Sequence, residues 1–266
     1  MTGPRVFSVL LGLALAGAVV FLTLPIVAIF IDTSPGRLVE SLGDPTAREA
    51  LRLSLETTAL ALAIIVLAGT PAAYLMATRD FRGRAVVQTL VELPLVLPPA
   101  AAGIGLLAAL GPRGILGGTL ERAGVELVLQ TAGVVVALVL VAAPFYLRQA
   151  EAAFSAVPTS AIAASRTLGA GEASTLLRVV VPTARPGLIA GAALAWGRAL
   201  GEFGATLMFA GSFRGVTQTV PLAIYERFSV DFPAALALSA VLVCVSFALL
   251  LAVKLLTGRG GAVAAR

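Results

Sequence analysis

Long, nearly unbroken apolar runs alternate along this chain with short segments that carry most of the polar and charged residues. About 20 apolar residues in a helix cross the hydrocarbon core of a bilayer, and six runs reach that length. The runs are continuous rather than alternating, which favours helices over the strands of a membrane barrel. The pattern predicts an all-α membrane protein, with one transmembrane domain of six helices over residues 1–266. The predicted spans are residues 6–31, 50–77, 85–110, 127–147, 186–210 and 233–256.

The composition narrows the chemistry that the chain can perform. It is 59% hydrophobic and 12% charged, and a soluble domain has about twice that charged share. These values exclude a disordered protein and disfavour a soluble enzyme. The sequence has no histidine and a single cysteine, Cys244, which excludes His-dependent catalysis, imidazole-bound metal, a thiolate metal cluster and an intrachain disulfide. It also has no P-loop motif, so we expect no cofactor in this chain, and if the protein is driven by ATP, the ATP must be bound by a separate partner subunit.

Positive residues are distributed unevenly between the two sides of the predicted helices. With both termini on one side, that side carries eleven Arg and Lys residues and the other carries seven, while Arg198 lies in a span. Because cytoplasmic loops are enriched in Arg and Lys, both termini are predicted to be cytoplasmic, in a multi-pass protein of the cytoplasmic (inner) membrane. The net charge of +5 reflects this bias, and nothing in the sequence indicates nucleic-acid binding.

The longest predicted inner segment, residues 148–185, carries a specific motif. The sequence AASRTLG at 163–169 is followed by VVVP at 179–182. These residues resemble the signature loop of ATP-binding-cassette importer permeases, although its acidic first position is Ala163 here and Glu151 is out of register. The resemblance implies a type I ABC importer permease fold, in which this loop forms a short coupling helix seated in a groove of the ATPase. The implied coupling residues are Ala163, Ala164, Ser165, Leu168, Gly169, Val179 and Pro182.

The local chemistry of this loop agrees with a coupling helix. Small residues at 163–165 let a helix approach a partner surface closely. Gly169 is suited to the positive φ of a turn, and Pro182 is expected to end the preceding helix and start a new direction. The alternative is a generic amphipathic linker.

Two opposite charges interrupt the fifth predicted span. Arg198 and Glu202 are four residues apart, so they share a helix face and are expected to pair. A charge inside a span costs about 2.5–3.5 kcal/mol on insertion scales, so the pair either fixes packing or lines a substrate route or gate. Glycines spaced G-x-x-x-G at 187/191 and 197/201 allow close helix contacts, within the chain or across a dimer. The similar pair Arg52 and Glu56 is expected at the outer interface.

The third predicted span contains the run LPLVLPP at 93–99. Proline lacks an N–H group, and irregular backbone at membrane depth survives only where protein covers it or where it lines a cavity. The run therefore predicts a kinked helix on the pore side, or alternatively a simple kink at the membrane edge.

Four segments together resemble one branch of the importer family. The segments at 93–99, 199–206, 209–211 and 217–225 look like those of molybdate importer permeases, and sulfate permeases are similar. The resemblance implies a homodimer that translocates molybdate, with two cytoplasmic ATPase subunits and an extracytoplasmic molybdate-binding protein; this chain supplies no catalytic or metal-binding residue. A sulfate or tungstate permease, or a secondary transporter or channel, remains the alternative. The pathway or gate candidates are Arg198, Gly201, Glu202, Gly204, Thr206, Pro94 and Pro98, with Ser212 and Thr217 as further hydroxyl donors.

Overall fold

The computed structural model describes residues 4–261, with side chains described for residues 7–255, and within these bounds every regular element is helical. Arg5, Arg259 and Arg266, which contribute to the predicted orientation, lie outside the described side chains. The helices are α1 (Pro4–Asp32), α2 (Pro35–Gly43), α3 (Pro45–Thr78), α4 (Arg84–Val96), α5 (Pro99–Leu110), α6 (Gly117–Arg122), α7 (Thr131–Ser155), α8 (Thr159–Thr167), α9 (Glu172–Thr175), α10 (Val181–Leu200), α11 (Gly204–Ala210), α12 (Val220–Phe228) and α13 (Phe232–Gly261), with a π-helical turn at Leu176–Val180.

Five continuous helical segments in the described chain are long and apolar enough to cross a membrane. A bent pair, α4 and α5, passes the same test when it is taken as one unit, and it brings the total to the six predicted. The axes of α4 and α5 meet at 117°, so the third predicted span is broken rather than merely kinked. The fold predicted from the apolar runs is therefore correct, but this span is not a straight helix.

The fifth predicted span, residues 186–210, also differs from the structure. The membrane-length helix runs from Glu172 to Leu200, and residues 204–210 form the separate short helix α11. The apolar run continues through both helices, which is why hydropathy alone did not separate them. Much of the predicted inner loop 148–185 is also helical, since α7 continues to Ser155, α8 covers Thr159–Thr167 and the membrane-length helix begins at Glu172.

The core of the protein forms around α7, which packs against α3 and α10. Small residues bring these helices close together. A Cβ atom placed on Gly187 would lie 2.5 Å from Cβ of Ala153, and one on Gly191 would lie 3.0 Å from Cβ of Gln149. The 187/191 glycine pair therefore packs within the chain. By contrast, α1 lies at the periphery and contacts α13.

Polar side chains also link the spans to one another. The Trp196 Nε1 group on α10 donates to Thr58 Oγ1 on α3 over 2.9 Å. The backbone N–H of Val220, at the start of α12, donates to Ser54 Oγ on α3 over 2.8 Å. Thr70 Oγ1 and the Tyr146 hydroxyl are 2.6 Å apart. Satisfying buried polar groups in this way removes their desolvation cost and fixes the register of α3 against its neighbours.

The contact between α5 and α11 leaves no room for a side chain at Gly103. A Cβ atom there would lie 2.6 Å from the Ala205 carbonyl oxygen, whereas a Cβ atom on Gly105 would meet nothing within 4 Å. We expect Gly103→Ala to destabilise the protein by about 1–3 kcal/mol, as overpacked positions do. The measurement is the thermal unfolding midpoint in detergent, with Gly105→Ala as the matched control. Equal midpoints for the two variants would contradict the close approach.

Candidate functional site

The short helix α8 and the turn that follows it form an exposed projection. Ala163, Ala164, Leu168 and Gly169 are exposed, with 87% of Leu168 accessible, while Ser165 is half-buried. Gly169 has a φ of +82°, as the sequence predicts. Its N–H donates to the Arg166 carbonyl over 2.9 Å, and the Ala170 N–H donates to the Ser165 carbonyl over 3.1 Å. These paired bonds are a Schellman motif, which ends α8 sharply and reverses the chain.

The projection is fastened to the membrane helices by polar contacts. The Ser165 and Thr175 hydroxyls are 3.1 Å apart, which ties α8 to the following helix. Arg79, just after α3, pairs with Glu172 at the start of α9 over 2.6 Å. The projection is thus attached to α3 and to α9, which is the first turn of the helix that continues to Leu200.

The chain does not change direction at Pro182, contrary to the sequence prediction. The helix runs without a break from Glu172 to Leu200, and Pro182 lies within its course. A π-helical turn at Leu176–Val180 directly precedes the proline, and in it the Val181 N–H bonds the Leu176 carbonyl. A proline removes one backbone N–H and crowds the preceding turn. The wider π-helical turn makes room for the ring, so the helix continues. Val179 lies in this turn.

The proline run breaks the third span. Pro94 lies inside α4, which ends at Val96, and Pro98 is the extended residue before α5 begins at Pro99. Proline at the first position of a helix loses no hydrogen bond, because the first-turn N–H groups have no partner in the helix. The sequence thus ends one helix and starts the next within three residues.

The second break follows α10, at Gly201–Phe203. The predicted ion pair forms here, with Arg198 Nη2 lying 2.6 Å from Glu202 Oε2. The other carboxylate oxygen, Glu202 Oε1, accepts the Ala205 N–H over 2.7 Å. Glu202 therefore neutralises Arg198 at the end of α10 and caps the start of α11, and its side chain is 1% exposed.

The two breaks lie against each other. A Cβ atom on Gly204 would lie 2.9 Å from Cβ of Pro99 and 3.1 Å from the Ala100 backbone nitrogen. The two breaks are thus in contact at Gly204 and Pro99, while residues 96–99 and Gly201 remain exposed within this chain. Irregular backbone at membrane depth survives only where protein covers it or where it lines a cavity. Of the predicted pathway residues, Gly201, Glu202 and Gly204 lie at the second break, which contacts Pro99 next to Pro98 in the first. Pro94 lies within α4 and Arg198 within α10.

The remaining predicted hydroxyls are less suited to a substrate route. Thr206 on α11 is fully buried, and among the described residues its hydroxyl has no hydrogen-bond partner. Thr217 Oγ1 accepts the Phe213 N–H over 2.9 Å, so it stabilises the loop that contains it. Ser212 Oγ accepts from Gln218 over 3.4 Å.

The second glycine pair, 197/201, faces outward. A Cβ atom on Gly197 would meet nothing within 4 Å, and one on Gly201 would meet only the Gly197 carbonyl oxygen at 3.8 Å. This face of α10 is therefore free within the protomer, unlike the 187/191 face. Sequence spacing could not distinguish the two pairs, because both have the same motif.

Gly103, Ser54 and Trp196 make contacts between helices and were not predicted as site residues. Gly103 permits the α5–α11 contact, and its sequence context carries no motif that marks it. Ser54 and Trp196 have no motif of their own, and their contacts across helices appear only in three dimensions.

Residues 69–259 match the family model for the binding-protein-dependent transport system inner membrane component. The chain is 42% identical over 242 residues to the molybdenum transport system permease protein of Mycobacterium tuberculosis, covering 90% of each chain. It is 33% identical over 190 residues to a sulfate transport system permease protein of Synechococcus elongatus, covering 71% of this chain and 66% of that one.

Solved structures share the fold at low sequence identity. A bacterial ABC transporter that imports the acidic polysaccharide alginate matches with a TM-score of 0.77 and 17% identity, over 96% of both chains. A second structure of an alginate transporter, in complex with an alginate pentasaccharide-bound periplasmic protein, matches with a TM-score of 0.76 and 16% identity, over 96% of this chain and 94% of that one. These structures agree with the type I importer fold predicted from the sequence.

The double role of Glu202 makes it a sensitive position for stability. Glu202→Leu removes the partner of Arg198 and the acceptor of the Ala205 N–H, so we expect a loss of about 3 kcal/mol. The exposed pair Arg52–Glu56 has the same spacing and the same 2.6 Å separation, so Glu56→Leu is the control, with an expected change below about 1 kcal/mol. Thermal unfolding in detergent measures both. Similar losses in the two variants would show that burial of Glu202 contributes little.

Proposed function

Because the chain belongs to the family of binding-protein-dependent transport system inner membrane components, we propose that it is the membrane-spanning subunit of an ATP-driven importer that carries molybdate into the cell. The observation that carries this proposal is the 42% identity to a molybdenum permease over 90% of both chains. Coverage of that extent includes both helix breaks and the exposed helix α8. The substrate is a tetrahedral oxyanion, so no metal site is required in this chain.

The proposed assembly contains two copies of this chain, two cytoplasmic ATPase subunits and an extracytoplasmic molybdate-binding protein. The free 197/201 face of α10 supports an arrangement in which it lines a route between the two copies, since no other part of the described chain fills the space there. The exposed helix α8 supports docking of the ATPase, with Leu168 projecting beside Gly169. In this arrangement both termini lie in the cytoplasm, the protein lies in the inner membrane, and ATP is bound and hydrolysed only on the partner subunit.

ATP can favour one state of the transporter only through contacts that differ between states. In the proposed mechanism those contacts are made at Ala163, Ala164, Ser165, Leu168 and Gly169. The helix that follows runs without a break from Glu172 to Leu200, a length of about 43 Å at 1.5 Å per residue. It connects the docking loop to the break that contains Glu202. Displacement of the loop by the ATPase would therefore reach the proposed gate through one continuous helix.

The proposed gate is the region where the two helix breaks meet. It includes Pro94 and Pro98 on one side, and Arg198, Gly201, Glu202, Gly204 and Thr206 on the other. Helix breaks supply the local freedom that alternating access needs, and irregular backbone that protein does not cover must line a cavity. Within this set, the buried Thr206 acts by packing rather than by touching the anion.

Sulfate import is the second candidate function, supported by the 33% identity to a sulfate permease. Tungstate is the third anion of the same shape and charge. The test is uptake of labelled molybdate into cells that carry or lack this chain, with excess unlabelled sulfate or tungstate as competitor. We expect uptake to require the chain and ATP, and to persist in excess sulfate. Abolition by sulfate would favour the sulfate permease, and uptake without ATP would favour a secondary transporter or channel.

The turn at Gly169 gives a test of the coupling role. Gly169→Asp forces a side chain into a φ of +82°, which strains the turn that ends α8. We expect normal membrane insertion and ATPase activity that no longer drives uptake, with a loss of transport of at least about tenfold, the effect of roughly 1.4 kcal/mol. Gly171→Asp is the matched control, since it adds the same charge where φ is −68°. Uptake that is normal in Gly169→Asp, or equally impaired in both variants, would contradict the coupling role of the turn.

A further inference from the structure

In the ion pair at the end of α10, the carboxylate is buried in the protein and the guanidinium side chain is partly exposed. Glu202 is 1% exposed, and both of its oxygens are engaged, by Arg198 and by the Ala205 N–H. The Arg198 side chain is 27% exposed. A ligand that approaches this face therefore meets the guanidinium and is shielded from the carboxylate.

The surface beside Arg198 is open. Gly197 precedes it and Gly201 follows three residues later, and neither has a side chain to fill the space around the guanidinium. The next exposed side chain on this face of α10 is Leu194. The space beside Gly197 and Gly201 and the Arg198 guanidinium lie next to the break at residues 201–203. The rest of the helix is apolar enough to cross the membrane. A charged group in such a position characteristically faces another protein chain or a water-filled route.

The guanidinium also has unused hydrogen-bonding capacity. It carries five N–H donors in a planar fork, and the ion pair with Glu202 is made through Nη2. That fork matches two oxygens of a tetrahedral oxyanion, which a single amine cannot do. Because Glu202 is held independently by the Ala205 N–H, it stays in place while Arg198 turns toward a ligand.

The pair Arg52–Glu56 does not have this orientation. It has the same four-residue spacing and the same 2.6 Å separation, but its side chains are 79% and 56% exposed. Both charges there are accessible, so an anion would meet the carboxylate as readily as the guanidinium. Of the eight ion pairs that the described residues form between positions 44 and 227, Arg198–Glu202 has the most deeply buried carboxylate, at 1% exposure.

We propose that Arg198 contacts the transported oxyanion directly on its way through the membrane, with Gly197 and Gly201 providing the space beside it. This inference rests on the proposed import function and deepens it, because it assigns a substrate-binding residue to the proposed gate. It differs from a structural role, in which Arg198 serves only to neutralise the buried Glu202. In the structural role any change that keeps the pair neutral would be tolerated.

The test separates these two roles with paired variants in the complete transporter, reconstituted in liposomes with its ATPase and binding protein. Arg198→Gln combined with Glu202→Gln removes both charges together and keeps an oxygen acceptor for the Ala205 N–H. We expect this double variant to insert and to hydrolyse ATP normally, while molybdate uptake falls about 10-fold to 100-fold, the size expected for a lost charge-assisted hydrogen bond. Arg198→Lys, which keeps the charge without the fork, should fall between the double variant and the unmodified chain.

The controls make each outcome decisive. Arg52→Gln combined with Glu56→Gln removes an equivalent pair from the exposed face and should leave uptake unchanged. Full uptake in the Arg198/Glu202 double variant would overturn the proposal and leave only the neutralising role. Absence of molybdate uptake by the unmodified transporter would instead refute the proposed substrate, so the two failures are distinguishable. If the double variant inserts poorly, uptake by Arg198→Lys decides: uptake equal to that of the unmodified chain overturns the proposal.

Discussion

The structure depends on one constraint, which is that irregular backbone inside a membrane must be covered by protein or line a cavity. This chain interrupts one membrane helix at Leu97–Pro98 and ends another at Gly201–Phe203, before the short helix α11, and each break leaves backbone groups that hydrocarbon cannot satisfy. The two breaks meet, because Gly204 lets one pack directly on Pro99 of the other. The helices around them, above all α7, form the frame that holds this contact in place.

The two charged residues at the second break, Arg198 and Glu202, are explained by the same constraint. Breaking the fifth span leaves carbonyl groups at the end of α10 and N–H groups at the start of α11. Arg198 lies near the first set, and Glu202 binds both Arg198 and the Ala205 N–H of the second. Two charges that look costly in an apolar sequence are therefore what allows the helix to stop there. The same pair leaves a positive surface on the open side of α10.

The sequence predicted the parts of this protein that are governed by local chemistry. The six apolar runs, the positive φ at Gly169 and the pairing of Arg198 with Glu202 each depend on residues close together in the chain. It failed where neighbours decide the outcome. The extent of the bend between α4 and α5 depends on packing against α11, and the continuation of the helix past Pro182 depends on a π-helical turn. Two identical glycine motifs on α10 had opposite environments for the same reason.

The tightness of the α5–α11 contact has a mechanical consequence. At Gly103 and Gly204 the backbones of α5 and α11 are in direct contact, with no side chain between them that could change its rotamer to make room. Sliding or tilting of one helix against the other would bring backbone atoms into collision, so the contact favours movement of α5 and α11 as one unit. Any change of orientation of this unit then has to be accommodated by the residues that flank it, Leu97 and Pro98 before α5 and the loop after α11.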